Sequence, residues 1–326
     1  MFLAAPHRLM IPQQAGVRPV LDLPLLGGSL DSRFTFTRAS LGWYFNSAGV
    51  LTSAAINTPR FDYDPVTLAP RGLLLEEART NLFLNSAVGV TQACTVTAAA
   101  HTLSFQGTGT ITLTGVSTAG PLVGTGAANR VSLTFTPTAG SLTLTVSGSC
   151  TNVQLELGAF ATSPIVTVGS TVNRAVDFCS ALTSGFAFNA LEGTLFAAFT
   201  PAGVTGLQTA IYMDDGTNNE RMGARSSGGA MPGIVVDGGV SQASVSGGTI
   251  TATASKVAMA YKLNDIAISG NGGAVGTDAS ATIPTVTKLL IGTRLTGSGE
   301  SLSGWYTRVA YYNRRLDNAS LVRLST

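Results

Sequence analysis

The side chains able to do chemistry are few, and their spacing rules out most of the common catalytic plans. Histidine occurs only at His7 and His101, so His-x-x-x-His metal pairs are excluded and a Ser-His-Asp triad would have to use one of these two. Both read as ordinary surface or edge histidines. Cys94, Cys150 and Cys179 are odd in number and match no zinc-ligand spacing; lying among strand-like residues, they read as buried thiols. No Gly-x-Ser-x-Gly elbow, Walker loop or Gly-x-Gly-x-x-Gly stretch occurs despite 38 glycines. Paired carboxylates, the requirement for glycoside hydrolysis, occur adjacently at Glu76-Glu77 and Asp214-Asp215. The first pair is followed by Arg79, which predicts an ion pair fixing the direction of the chain. The second opens the turn Asp214-Asp215-Gly216-Thr217-Asn218-Asn219-Glu220, whose oxygens suit Ca²⁺, although such Asx-rich turns commonly satisfy their own backbone. No catalytic residue, no metal ligand and no cofactor other than this Ca²⁺ option is expected. Trp43 and Trp305 each have two readings, packing in the core or offering a ring on which a sugar can stack.

Strands must position these residues. From about residue 81 the sequence alternates, as in Thr110-Ile111-Thr112-Leu113-Thr114, Ser132-Leu133-Thr134-Phe135 and Ser141-Leu142-Thr143-Leu144-Thr145-Val146. Period two with β-branched partners predicts strands with one buried face, and Gly/Ser/Pro turns separate them at sandwich spacing. Residues 1–80 are proline-interrupted without a sustained period and read as an irregular arm. A break near 163–180 reads as a junction, beyond which strands are expected over 193–200, 207–213, 233–237, 256–263, 266–269, 288–292 and 304–313. One terminal helix, capped by Asp317 or Asn318, is predicted over 319–324. The fold class is therefore all-β: an N-terminal arm (1–80), a first β-sandwich or jelly roll (81–175) and a second sandwich (176–326).

Composition narrows the partners. Charged residues make up 11% of the 326, against about 25% in ordinary globular chains. A net charge of +2 and only three lysines (Lys256, Lys262, Lys288) argue against nucleic acid and against a basic membrane patch. Mean hydropathy is +0.31, yet no apolar run reaches membrane-spanning length, and membrane insertion is not expected. The N-terminus lacks a cationic region leading into a long apolar stretch, so a signal peptide is not expected and synthesis is placed in the cytoplasm. The strands from Cys94 to Cys150 contain only Arg130 as a charge, which predicts that the first sandwich is the part most covered by neighbouring subunits.

Three stretches carry a resemblance. Arg38-Ala39-Ser40, Tyr44-Phe45-Asn46-Ser47-Ala48-Gly49-Val50-Leu51, Pro59-Arg60-Phe61-Asp62-Tyr63-Asp64-Pro65 and Gly72-Leu73-Leu74-Leu75-Glu76-Glu77-Ala78-Arg79-Thr80-Asn81-Leu82 resemble the N-terminal segment of structural proteins of tailed phages and gene transfer agents, commonly head-spike or tail-fibre components. Val153–Ile165 with Asn173-Arg174-Ala175-Val176-Asp177 looks like the closing strand and exit linker of the jelly roll that follows that segment, with Pro164 replacing the usual aromatic. The stretch from Glu192-Gly193-Thr194-Leu195-Phe196 to Tyr311-Tyr312-Asn313-Arg314-Arg315-Leu316 is similar to concanavalin-like (laminin-G-like) lectin sandwiches.

The resemblance implies a virion component, a homo-oligomer and commonly a trimer, docked on other structural proteins of the particle through its N-terminal region. Arg38, Arg60, Phe61, Asp62, Tyr63 and Asp64 are the anchoring candidates, with a charged edge opposed to an aromatic one. The C-terminal sandwich is implied to meet a host cell-surface polysaccharide through Asp214, Asp215, Asn218, Asn219, Arg221 and Trp305. The alternatives are a purely architectural head decoration or fibre base, and a polysaccharide depolymerase.

Overall fold

The computed structural model describes residues 17–294 and 300–326; His7, and with it the start of the expected arm, lies outside them. The chain is all-β, as its alternation predicts, and forms two β-sandwiches. The larger consists of two antiparallel sheets facing each other across one core. One sheet runs in the order Gly276–Asp278, Ile266–Gly270, Ser255–Lys262, Glu192–Pro201, Gly304–Tyr312, Pro70–Leu75, Arg60–Tyr63, with Leu21–Pro24 also paired to Gly304–Tyr312. The other runs Phe34–Thr37, Phe178–Leu182, Lys288–Ile291, Leu207–Asp214, Arg221–Ser227, Ala230–Asp237, Val240–Thr249. Between them lie Leu195, Phe199, Met213, Met259, Ile268, Leu289, Tyr306 and Tyr311, each at most 1% exposed.

Residues 17–80, the described part of the expected irregular arm, form short strands. Leu21–Pro24 pairs with residues 308–311, Pro70–Leu75 with 304–306 on the same edge of the same strand, Arg60–Tyr63 with Pro70–Leu75, and Phe34–Thr37 with Phe178–Leu182. Their burial alternates cleanly, Leu21-Asp22-Leu23-Pro24 and Phe34-Thr35-Phe36-Thr37 both reading buried then exposed. Such short strands leave too short a period to read locally, and the partners of Leu21–Pro24, Phe34–Thr37 and Pro70–Leu75 across the sheets lie over 200 residues away in the chain or beyond the first sandwich.

The smaller sandwich is an insertion. The chain enters it along Arg79–Asn81 and leaves along Val172–Arg174, and these two segments pair antiparallel as a neck. Inside, a four-stranded sheet (Leu122–Val123, Thr110–Gly115, Gly140–Ser147, Gln92–Val96) packs on a three-stranded one (Gly126–Phe135, His101–Gly107, Cys150–Leu157). Ile111, Leu113, Leu142 and Leu144 line its core with Leu103, Phe105 and Leu155. His101 is 1% exposed with Nδ1 2.8 Å from the Ala99 carbonyl, so it is a core group and not the surface or edge histidine expected. The three cysteines are free and buried.

Helix Asn318–Ser325 closes the chain on the outer face of the eight-stranded sheet. Asp317 caps it, its Oδ1 accepting from the Ser320 amide at 2.6 Å. Leu321 and Leu324 sit on Ala198, Ala258, Ala260 and Ala267, small side chains that let a helix approach a sheet closely.

Where the neck meets the larger sandwich, charge is buried. Arg60 Nη1 lies 2.8 Å from Glu76 Oε2 and Nη2 2.5 Å from Asp177 Oδ2; Arg174 reaches Glu76 at 3.0 Å and Arg38 reaches Asp177 at 3.2 Å. Arg38 also donates to the Ala54 and Ala55 carbonyls, and a Cβ on Gly42 would stand 2.7 Å from its Cζ, so only glycine fits there. Ser163, on the exit linker, donates N–H and O–H to Glu76 at 2.6 Å each. Removing one partner from such a buried cluster strands the rest uncompensated. Arg60→Ala is expected to lower the unfolding free energy by about 3–5 kcal/mol in urea denaturation, with the two sandwiches then melting as separate transitions.

Candidate functional site

The larger and smaller sandwiches meet around a recess of about 340 Å³. Tyr44, Asp62, Asp64, Arg71 and Trp305 form one wall, and Thr125, Asn129 and Arg130 of the small sandwich the other, with Ser163 of the linker and Glu76 at its base. Ligand pockets favour such domain interfaces.

Strand register sets this wall. Trp305 lies opposite Leu74 and Thr200, while its neighbour Tyr306 points into the core at 0% exposure. Trp305 is therefore the residue of that pair left on the recess side. Its indole N–H donates to Asp62 Oδ2 at 2.8 Å, and Asp62 Oδ1 accepts from the Phe45 amide at 2.7 Å. Burial pushes the Asp62 pKa up, against the pull of these two donors. Arg71 places its guanidinium 4.9 Å from the Trp305 ring centre and pairs with Asp64 at 2.6 Å. Asp64 in turn accepts from the Val66 and Thr67 amides, the larger of these two pulls coming from Thr67, and its carboxyl is held down at about 2. Across the recess Arg130 donates to Ser104 Oγ at 2.8 Å while its Nε has no partner.

Glu76 titrates far from its ordinary value. Burial opposes its charge, but the guanidiniums of Arg174 and Arg60 and the two Ser163 donors outweigh it and hold the carboxyl at about 2. Each carboxylate lining the recess is thus tied by fixed donors, an arrangement that orients neighbours and leaves no oxygen pair free to shuttle a proton.

The anchoring candidates divide by face. Arg60 and Asp62 share one side of their strand and Phe61 and Tyr63 the other, as alternation predicts, but the charged side is the more buried one, turned to the seam between the sandwiches: Arg38, Arg60 and Asp62 are 1%, 0% and 4% exposed. Phe61 packs against the main core, Tyr63 is half-buried, and Asp64 holds Arg71. The expected Glu77–Arg79 ion pair forms.

The glycan candidates do not converge. Trp305 belongs to the recess, whereas Asp214, Asp215, Asn218, Asn219 and Arg221 lie on the hairpin joining Leu207–Asp214 to Arg221–Ser227. Within that hairpin Asp214 accepts from the Gly216 amide, Asp215 from the Thr217 amide and hydroxyl, and Asn218 from Arg221 and Arg294. The turn's oxygens are largely spent on their own chain, and among the described residues no three His, Cys, Asp or Glu side chains gather as a metal site. Arg71, Asn129 and Arg130 escaped the sequence reading. Arg130 stood out only as the one charge in its stretch, and nothing local brings it to face Trp305. Among the described residues no helix is long and apolar enough to cross a membrane.

No protein-family model matches the sequence, and no curated protein matches it. Among solved structures, the Ruminococcus gnavus IT-sialidase CBM40 bound to α2,3-sialyllactose is similar over 42% of this chain and 83% of its own, at 15% identity and a TM-score of 0.37. The NanB sialidase of Streptococcus pneumoniae is similar over 44% of this chain and 26% of its own (13% identity, TM-score 0.36), and the binding domain of botulinum neurotoxin serotype D over 46% and 40% (9%, 0.37). These are partial likenesses at low identity and say nothing of the recess.

The recess makes stability pH-dependent with a definite sign. Glu76 has a folded pKa of about 2, below its ordinary 4.5, so its stabilisation is complete above the unfolded value and is lost as pH falls through the folded one. Urea unfolding between pH 5 and 2 is expected to lose on the order of 3 kcal/mol through this group, a loss that Glu76→Gln should flatten. Asp62→Ala, which leaves the Trp305 indole and Phe45 amide unpaired, is expected to cost about 1–3 kcal/mol, read in the same way.

Proposed function

We propose that this protein is a saccharide-binding component of a phage-like particle, a head spike or tail fibre, that binds without turnover and meets host cell-surface polysaccharide in the recess between its sandwiches. The observation that carries the binding reading is the constellation around Trp305: an indole fixed by Asp62 and braced by Arg71, facing Asn129 and Arg130 across about 340 Å³. An aromatic wall with a few placed donors and acceptors is what a sugar ring requires, one apolar face and a rim of hydroxyls. Binding without turnover fits carboxylates that are each held by fixed donors. The particle assignment rests on the sequence stretches that resemble virion proteins.

A trimer is the oligomer proposed, in keeping with the same resemblance. The small sandwich supports a subunit-facing role, since Val88, Val90 and Val123 are each more than half exposed and Arg130 is the only charge between Cys94 and Cys150. Light scattering of the purified full chain should then give three times its 33.3 kDa mass.

A glycan array probed with the full chain is expected to show saturable binding, weakened about tenfold or more by Trp305→Ala at a temperature where circular dichroism shows the variant folded. An array without any saturable signal would reassign the protein to architecture alone.

A further inference from the structure

The outer face of the seven-stranded sheet carries a second constellation, away from the recess. Tyr212 lies opposite Gly223, Asp214 opposite Arg221 and Thr209 opposite Arg225. Ile211, Met213, Met222 and Ala224 of these strands enter the main core, whereas Tyr212 packs with Ile234 and Val236 on the other side of the sheet. Alternation puts Arg221, Gly223 and Arg225 on that same outer side. A Cβ on Gly223 would stand 2.6 Å from Tyr212 Cα and 2.7 Å from its ring, so the missing side chain is what lets the phenol lie across the strand between two arginines. A third guanidinium, Arg294, sits 6.0 Å from the ring centre.

The polar atoms of this face are held ready and unspent. Tyr212 is 0% exposed and its hydroxyl has no hydrogen-bond partner; Nε of Arg221 and of Arg225 also have none. Among the described residues Arg225 forms no ion pair, and Arg221 bonds only to Asn218. Of the carboxylates nearby, Glu300 pairs with Arg294 at 3.0 Å, and Asp214, 0% exposed, accepts from the Gly216 amide through Oδ1, while among the described residues its Oδ2 has no partner and no guanidinium reaches it. Burial pushes the phenol of Tyr212 up to about 12, so it remains a donor. Unpaired buried donors beside one guanidinium without a partner, Arg225, and a second bonded only to neutral oxygens, Arg221, make a surface to which an anion can add.

We propose that this face is a binding site for the carboxylate of an acidic saccharide, with Arg225 and Arg221 as the charged donors and the Tyr212 hydroxyl as the neutral one. The planar guanidinium fork matches a carboxylate better than any neutral sugar hydroxyl. The saccharide half of the assignment rests on the glycan-binding reading above; the anion half does not.

Calorimetric titration of the full chain with trigalacturonate and with its fully methyl-esterified form separates the two, because the ester keeps the sugar skeleton and removes the charge. Trigalacturonate is expected to bind at least about tenfold more tightly than the ester. Arg225→Gln should remove that difference, and Tyr212→Phe should weaken acid binding severalfold with the melting temperature unchanged. Trp305→Ala should leave it intact, so failure of the recess and failure of this face read out independently. Equal affinity for acid and ester, indifference of acid binding to Arg225→Gln, or absence of binding to both trigalacturonate and N-acetylneuraminate would overturn the proposal.

Discussion

Three guanidinium groups and two carboxylates occupy one water-free volume where the neck of the inserted sandwich joins the larger one. Arg38, Arg60 and Arg174 surround Glu76 and Asp177, and none of the five is more than 2% exposed. Taking such groups out of water costs several kcal/mol each, which their mutual attraction offsets only when the geometry is good and every remaining oxygen is bonded. That condition is met by elements from across the chain. Asp177 accepts from the Glu76 amide and Glu76 O accepts from the Asp177 amide, so the two acidic residues lock each other's backbone while their side chains hold the arginines. The cluster satisfies its charges only when the hairpin at 42–54, the strand at 60–63, the end of the strand at 70–75, the linker at 163 and the exit at 174–177 are all in place. It therefore specifies how the two sandwiches sit together, and with that the shape of the recess between them.

This accounts for which parts of the chain were legible in its sequence. Strands whose partners are close in sequence and whose pattern is Thr-Leu-Thr-Leu announce themselves, as at 110–115 and 140–147. Arg221–Ser227 was missed because its outward positions hold Arg and Gly and its inward ones Met, Ala and Ser, and Val240–Thr249 because only Ala243 and Val245 alternate with its serines before glycines break the pattern. The short strands before residue 80 were missed for another reason. Leu21–Pro24, Phe34–Thr37 and Pro70–Leu75 are each paired to a strand contributed from the far side of an insertion, a long-range pairing that no local pattern encodes. Charged residues there looked like an accessible edge, since alternation gives the side a residue takes but not which side faces the core. The buried ion cluster reverses the usual assignment: on the strand Arg60–Tyr63 the charged positions are the buried ones.

Residues 38–82 take their character from the same cluster. Arg38, Arg60, Asp62 and Glu76, the charged residues that make that stretch distinctive, all face the seam. In this chain they meet the demands of joining one sandwich to another and are closed to any outside partner, whereas the valines of the small sandwich are exposed.

A chain this poor in charge makes the pairing state of each arginine informative. At the seam every guanidinium has a carboxylate, and Arg71, Arg79, Arg294, Arg308 and Arg315 have theirs at the surface or near it. Against that background Arg225, which has none, Arg221, whose bonds go to an amide, and Arg130, whose bond goes to a hydroxyl, stand apart. An exposed unpaired arginine is hydrated and costs nothing. One whose Nε is shut off from water beside a buried, partnerless phenol has lost hydration without regaining it from the protein. Such a deficit is tolerated where something outside the chain restores the lost bonds, and guanidinium chemistry narrows that something to an anion.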